Sequence, residues 1–453
     1  KVTHLDEHEI RLLNPELVQR KPYPVPAHLI PVLDKEIDEM LAMNIISPSS
    51  GFYSSPLVMI KKPDGSQRVC VDFRYLNRVC ALDPEASYSA DDIFNKLGGC
   101  NTYSKFDFSK GYYQIPLQNQ SKELTTFACH RGKFKFEVLP FGLSSAPMTF
   151  NRVMRKLLAG SKGLHNYLDD VLAHSGDWNE HMMILRDFFS RVRAANLSLK
   201  PSKCQIGYQN IEFLGQVVIE DALIPNKKNL EKILESARPE TKTQVKSFLG
   251  CIGFYKQYIA RFSEISSPLT DLLKKTQPNR VHWGKLQEEA FQTLKAYLLK
   301  GPVLKLPMLD KEFILRTDAC NVAVGAVLLQ KHEGVLHPVA YASKKLSPRE
   351  ALYPISEKEC LGIIFGVQRF HKYLFATRFK IQTDHKPLEI LGSGTSSNPR
   401  LMRWALALQP YQFVTEVIPG VDNVGADFFS RHFTSDLEDG KGPVWMAKPC
   451  LTI

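Results

Sequence analysis

The sequence has no apolar run long enough to span a bilayer, and so offers no candidate membrane helix. It has no signal-like hydrophobic segment and no initiator methionine. It begins at Lys1 and reads as a processed or trimmed fragment. Its nine cysteines are scattered and odd in number, with no Cys-x-x-Cys pair. That argues against both a disulfide framework and a structural zinc site, and a reducing compartment fits best. His4 and His8 sit at helical ligand spacing, but no cysteine pair accompanies them, so they are read as solvated. No internal repeat or low-complexity tract is present.

What remains is an ordinary globular composition. The chain has 453 residues, 44% hydrophobic and 23% charged, enough for several domain-sized cores without staples. The formal net charge is +11. Such an excess of Lys and Arg suits a polyanion partner, because neutralising phosphates releases counterions.

Segments of different character follow one another. A Pro-rich approach (Pro22, Pro24, Pro26) leads to a helical stretch from Leu29 to Asn44, then to a hairpin pattern. Ser55–Lys62 reads as one strand, Gln67–Phe73 as its partner, and Pro63-Asp64-Gly65 as the turn. Residues 86–215 alternate short strands with helical pieces, and 226–300 are mostly helical and basic. From Phe313 a second α/β series begins, with strands at 313–318, 322–330 and 337–343. A long helix near 349–374, a strand at 378–384, a helix near 399–409, a strand at 411–418 and a last helix from 423 complete it. The tail from Phe433 reads as a linker.

The stretch Leu164-His-Asn-Tyr-Leu-Asp-Asp-Val-Leu-Ala-His reads as strand, turn, strand. Two like charges about 4 Å apart repel by about 4 kcal/mol at an effective dielectric near 20. Asp169 and Asp170 at this turn therefore call for a cation, although an Asp turn is also common on surfaces. Upstream, Asp107 stands among apolar strand residues in Ser104-Lys-Phe-Asp-Phe-Ser-Lys-Gly-Tyr-Tyr. Brought beside Asp169 and Asp170, it would complete an oxygen-rich site for two divalent ions.

Tyr167-Leu-Asp-Asp, Phe106-Asp-Phe-Ser-Lys-Gly-Tyr and Leu139-Pro-Phe-Gly-Leu-Ser-Ser-Ala-Pro, in that combination, resemble reverse transcriptases. The match is best to the gypsy class of LTR retrotransposons, with retroviral enzymes more distant. Lys203-Cys and Phe213-Leu-Gly fit later motifs of the same family, and the resemblance runs from about Pro22 to His432. It implies a right-hand polymerase followed by a ribonuclease H-like α/β domain, with no separate connection domain. The implied bounds are N-terminal segment and fingers 1–85, palm 86–118, fingers 119–150, palm with primer grip 151–225, thumb 226–302 and ribonuclease H 303–432, followed by a tail.

Roles follow position by position from the resemblance. Asp107, Asp169 and Asp170, with the carbonyl of Phe108, would bind two Mg²⁺, with Mn²⁺ as a substitute. Tyr112 would stack under the incoming sugar and exclude a 2′-hydroxyl. Lys62 and Arg68 would grip the triphosphate, with Lys61 a rival for the first, and Phe141 would line the nucleotide pocket. Phe213, Leu214 and Gly215 would steady the primer terminus. Lys246, Gly250 and Phe254, at i, i+4 and i+8 of one helical face, would follow the minor groove.

In the C-terminal domain four acids, Asp318, Glu359, Asp384 and Asp427, resemble a ribonuclease H two-metal site. Helical phase does not separate Glu359 from Glu357, and the choice rests on the resemblance. Asp427 is followed by Phe428-Phe429 where Ala-Leu is common, and the loop before it has no His. Neither an aspartic protease motif nor an integrase-type zinc module is present. The implied activity is RNA- and DNA-templated DNA synthesis from dNTPs, with cleavage of RNA in hybrids. The partners are an RNA/DNA hybrid or DNA duplex template–primer and, in a dimeric working form, a second copy. The implied location is the cytoplasm, within virus-like particles. The competing reading is a decayed or domesticated nucleic-acid-binding scaffold, which the filled acidic positions disfavour.

Overall fold

The β-branched run that suggests a strand before Pro63 forms one arm of a hairpin. Leu57–Lys61 pairs antiparallel with Gln67–Val71, Leu57 lying opposite Val71. The computed structural model describes residues 2–14, 18–61, 65, 67–81, 89–219, 221–301, 303–383 and 398–418. The chain groups into two units. Among the described residues, one holds those up to Ile93 together with Cys100–Gln209, and the other holds Phe94–Gly99 and those from Asn210 to Ile418.

The first unit is organised by a four-stranded sheet in the order Leu164–Tyr167, Asp170–Ser175, Thr102–Asp107, Gln205–Tyr208. Apolar residues of Thr102–Asp107 enter the core, where Phe106 lies 4.5 Å, centroid to centroid, from Phe188 of the helix Trp178–Ala194. Asp177 caps that helix by accepting from the Glu180 amide, which satisfies one of the free N–H groups of the first turn. The helix Ala146–Leu157 starts with Pro147 in its first turn, where a missing N–H costs nothing. It buries Phe150, Val153, Met154 and Leu157. Ile46–Pro48, Gly132–Phe136 and Phe127–Cys129 form a separate three-stranded sheet.

His8 corrects the expectation of a solvated residue. It is buried, its Nδ1 lies 2.7 Å from the Thr149 hydroxyl and its Nε2 lies 3.2 Å from the Ser145 hydroxyl. An imidazole with both nitrogens partnered can leave water cheaply when neutral. His4 is exposed, as expected.

The second unit opens with a hairpin, Asn210–Phe213 against Gln216–Ile219. The sheet continues through Ala222–Pro225 to Leu304–Lys305. That last short strand is invisible to pattern reading, because two residues carry no periodicity. Helices Lys227–Leu234, Lys242–Gly253, Phe262–Ile265, Ser267–Asp271 and Lys285–Leu299 lie between. Only a few residues separate Leu304–Lys305 from Phe313, so no connection domain intervenes.

From Phe313 a five-stranded mixed sheet forms in the order Val335–Lys345, Ala323–His332, Phe313–Ala319, Arg378–Thr383, Gln412–Val417. The first three strands are antiparallel, and the pairings of Arg378–Thr383 on both of its sides are parallel. The helix Ile355–Arg369 supplies the crossover that parallel pairing requires. It buries Cys360, Ile363, Ile364 and Val367 in one cluster with Leu315 and Leu328. The single helix expected over 349–374 is divided. A short turn at Glu350–Leu352 comes first, and Tyr353 takes ψ 146° before Pro354, because the proline ring disfavours a helical residue ahead of it. The main helix then runs to Arg369 and a short one follows at His371–Leu374. Among the described residues no helix is long and apolar enough to cross a membrane.

Candidate active sites

In the first unit Asp107 closes its strand directly opposite Asp170 of the antiparallel neighbour. Tyr167 in turn pairs with Asp170, which leaves Leu168 and Asp169 as a two-residue turn. Leu168 has φ 53°, a left-handed conformation that costs a leucine about 1 kcal/mol. Such strain is typical of functional turns. It sets Asp169 at the exposed tip and keeps Asp170 half-buried.

Two lysines answer this negative charge. Lys203 Nζ lies 3.0 Å from Asp107 Oδ2, and Lys105 Nζ lies 3.1 Å from Asp170 Oδ2. Burial pushes the Asp170 carboxyl above its usual range; Lys105 opposes that, while Asp169 and Asp107 add to it. Lys203 is raised, first by its hydrogen bond to Asp107, with Asp169 and Asp170 contributing. Asp170 thus feels the charge of both other carboxylates.

Among the described residues no three His, Cys, Asp or Glu side chains stand close enough to hold a metal as they are. The donor set nonetheless fits divalent ions: three hard carboxylates, two of them already holding ammonium groups in the place of cations. The Phe108 ring is buried and its backbone bridges Leu199, directly after Asp107.

Beside the turn, Tyr112 is half-buried between two rings, 5.1 Å from Phe141 and 5.6 Å, edge-on, from Phe150. The guanidinium of exposed Arg68 lies over the other ring, 5.3 Å from the Phe141 centroid. Burial raises the Tyr112 hydroxyl pKa, and the Asp169 charge adds to it. Arg68, Phe141 and Tyr112 therefore form a run from cation to stacked rings. Lys61 ends its strand exposed, and Lys62 lies outside the described residues.

In the second unit the helix Lys242–Gly253 splits into two faces. Val245, Phe248 and Ile252 are buried, whereas Lys246, Gly250 and Phe254 are exposed. A Cβ added at Gly250 would meet nothing within 4 Å, so packing within the chain does not demand glycine there. The hairpin turn Leu214-Gly215 has φ 50° and 77°, and a Cβ on Gly215 would come 3.9 Å from the Phe254 ring. The turn and the exposed aromatic thus form one patch. The Phe213 ring is fully buried, edge-on to Phe94 at 6.1 Å, so its side chain serves the core and does not join this patch. Alternation along the strand explains this, since every second residue of the hairpin faces inward.

The C-terminal carboxylates are partly described. Asp318 is exposed near the end of its central strand, and Glu359 is buried on the helix that crosses it. A Cβ at Gly362, one turn after Glu359, would lie 3.7 Å from the Asp318 carbonyl, so this helix face runs along Asp318. Glu357 is spoken for: Arg400 pairs with it and Asn398 donates to it at 2.9 Å. The two glutamates thus differ in setting: Glu357 pairs with Arg400, and Glu359 is buried. Asp384 and Asp427 lie outside the described residues, as does the helix expected from 423.

Comparison with known proteins agrees with this geometry. Residues 60–218 match the model of the reverse transcriptase (RNA-dependent DNA polymerase) family, and residues 308–411 match the RNase H-like domain found in reverse transcriptase. The chain carries a reverse transcriptase domain followed by an RNase H-like domain. It is 34% identical over 438 residues to the retrovirus-related Pol polyprotein from transposon 297 of Drosophila melanogaster, covering 95% of this chain and 41% of that protein. It is 32% identical over 416 residues to the transposon Tf2-3 polyprotein of Schizosaccharomyces pombe, covering 90% and 31%. The chain thus spans less than half the length of these relatives. Its fold resembles a foamy viral protease–reverse transcriptase solved with double-stranded DNA (TM-score 0.84, 19% identity, 92% of this chain and 75% of that one). A second such structure holds an RNA/DNA hybrid (0.77, 18%, 100% and 60%). It is that of a right-hand polymerase with a ribonuclease H-like domain.

For a reverse transcriptase the informative surprise is the pair of lysines. Sequence reading tied Lys203 only to a motif and passed over Lys105. The signal was available: Lys105 precedes Asp107 by two residues, and period two puts both on one face of the strand.

Proposed function

We propose that the chain is an RNA- and DNA-templated DNA polymerase that also cleaves the RNA strand of RNA/DNA hybrids, and that it copies a retroelement genome. The observation that carries this reading is the register of Asp107 against Asp170, with Asp169 at the turn between, inside a reverse transcriptase domain. The foamy viral structures with double-stranded DNA and with an RNA/DNA hybrid support duplex DNA and hybrid as partners.

Asp107, Asp169 and Asp170 would hold two Mg²⁺. When bound, such ions lower the pKa of the primer 3′-hydroxyl and stabilise the leaving pyrophosphate. The protein supplies the rest. Arg68 offers a positive charge for the triphosphate. Tyr112, packed between Phe141 and Phe150, would lie under the deoxyribose and exclude a 2′-hydroxyl. Lys246, Gly250 and Phe254 present a cation, a bare backbone and a ring to the duplex. Asp318 and Glu359, with Asp384 and Asp427, would hold the second pair of ions for hydrolysis of the hybrid. Action in the cytoplasm within virus-like particles, and assembly as a dimer on nucleic acid, belong to the same proposal.

Primer extension on an RNA template and cleavage of a hybrid are measured side by side. Asp169→Asn should abolish extension and leave hybrid cleavage; Asp384→Asn should do the reverse. Extension surviving Asp169→Asn would remove the polymerase reading, and unchanged cleavage by Asp384→Asn would remove the nuclease one.

A further inference from the structure

Lys105 and Lys203 hold their carboxylates in different ways. Lys203 reaches Asp107 from the loop before the edge strand, and its side chain is 56% exposed. It can swing into water at little cost. Lys105 belongs to the central strand itself, two residues before Asp107. Asp170 faces Asp107 across the ladder, so Lys105 is its diagonal neighbour, within reach of a long side chain. Both members of the pair are enclosed, with side chains 23% and 25% exposed. Backbone hydrogen bonds fix the strand on both sides, through Asp170–Ser175 and through Gln205–Tyr208. The ammonium of Lys105 therefore has no comparable path of retreat.

We propose that Lys105 is a resident counter-cation of Asp170 that competes with divalent ions for this carboxylate and so sets how tightly the free enzyme binds them. This rests on the polymerase reading above. Asp170 carries the repulsion of Asp169 and Asp107, and Lys105 is the charge that offsets it within the strand. A metal ion drawn to the site must share the Asp170 oxygens with the ammonium and also bear its repulsion. Asp107, whose lysine can leave, and Asp169, exposed at the turn, are then the stronger metal donors. Lys105 is a positioning residue: it acts through Asp170, with no contact to substrate required.

The test is binding of Mn²⁺ alone, without nucleotide or template–primer, read from loss of the free-ion electron paramagnetic resonance signal. Lys105→Met keeps the length of the side chain and removes its charge. It should bind Mn²⁺ roughly fivefold more tightly, the weight of a partly exposed ion pair. Lys105→Gln repeats the test with a polar side chain, and Lys105→Arg should bind as the wild type does. In an Asp170→Asn background the Lys105→Met gain should vanish. A merely structural role for Lys105 would loosen binding and would not depend on Asp170. Unchanged or weaker binding by both neutral variants, or a gain that survives Asp170→Asn, overturns the proposal. Wild-type protein with no bound Mn²⁺ released by Asp169→Asn would instead overturn the polymerase-site reading and this inference with it.

Discussion

Asp107 and Asp170 stand face to face in adjacent antiparallel strands, each holding a lysine ammonium at about the distance of a hydrogen bond. The site is therefore built by strand pairing, which is rigid, and completed by a turn, which carries Asp169 at its tip. That division of labour lets separate parts of the chemistry be probed one residue at a time.

Tyr112 packs between Phe141 and Phe150, and the proposed function makes it the floor under an incoming sugar. Tyr112→Ala should open that space and raise incorporation of ribonucleotides relative to deoxyribonucleotides on the order of tenfold or more. Single-nucleotide extension with matched rNTP and dNTP measures the ratio. An unchanged ratio would take the sugar gate away from Tyr112.

Glu359 and Glu357 should part company in hybrid cleavage. Glu359→Gln should lower RNA cleavage by about a hundredfold or more, as loss of a metal-holding carboxylate does. Glu357→Gln should leave cleavage near normal and cost about 1 kcal/mol of stability, because it loosens Arg400 and Asn398. Cleavage rates and thermal melts on both variants settle it. Equal loss in the two would mean that burial does not mark the reactive acid.

Gly250 offers an unusual combination. It sits within a helix, and an added Cβ meets nothing. Gly250→Ala should therefore stabilise the protein by about 0.5–1 kcal/mol. If a duplex backbone approaches there, the same methyl should weaken template–primer binding. A higher melting temperature with a faster off-rate is the expected pair of results; a higher melting temperature with unaltered binding would move the duplex elsewhere.

Burial, with Arg152 nearby, depresses the His8 imidazole to about 4. Unfolded, it titrates near 6.5. Between those values the unfolded chain binds more protons than the folded one, so stability from this group is present above about pH 6.5 and lost as pH falls toward 4. His8→Asn should flatten that part of the profile, measured as melting temperature against pH relative to wild type. Parallel wild-type and variant profiles from pH 6.5 to 4 would show that His8 is not the titrating group.

Much of this was legible because periodicity and motif order agree. The hairpin at Leu57–Val71, the strand bearing Asp107, the Asp-Asp turn and the strand order after Phe313 follow from local pattern and turn chemistry. What escaped depends on contacts distant in sequence. Leu304–Lys305 becomes a strand because Ala222–Leu223 is there to pair with it. His8 is buried because Thr149 and Ser145, far along the chain, take its two nitrogens. Phe213 was read by its motif when its alternation along the strand pointed inward. Glu357 and Glu359 share a helix edge, and they differ through distant contacts such as Arg400 on Glu357.

The strand Thr102–Asp107 is central, and both neighbours come later: Asp170–Ser175 on one side and Gln205–Tyr208 on the other. On a ribosome, Asp107 emerges some sixty residues before its partner Asp170. The last strand of the sheet follows only after the whole Trp178–Ala194 helix has been made. A nascent chain halted before Tyr208 cannot finish this sheet. The polymerase half must therefore wait for its own late segment to fold, while the sheet that begins at Phe313 takes all its strands from sequence still to come.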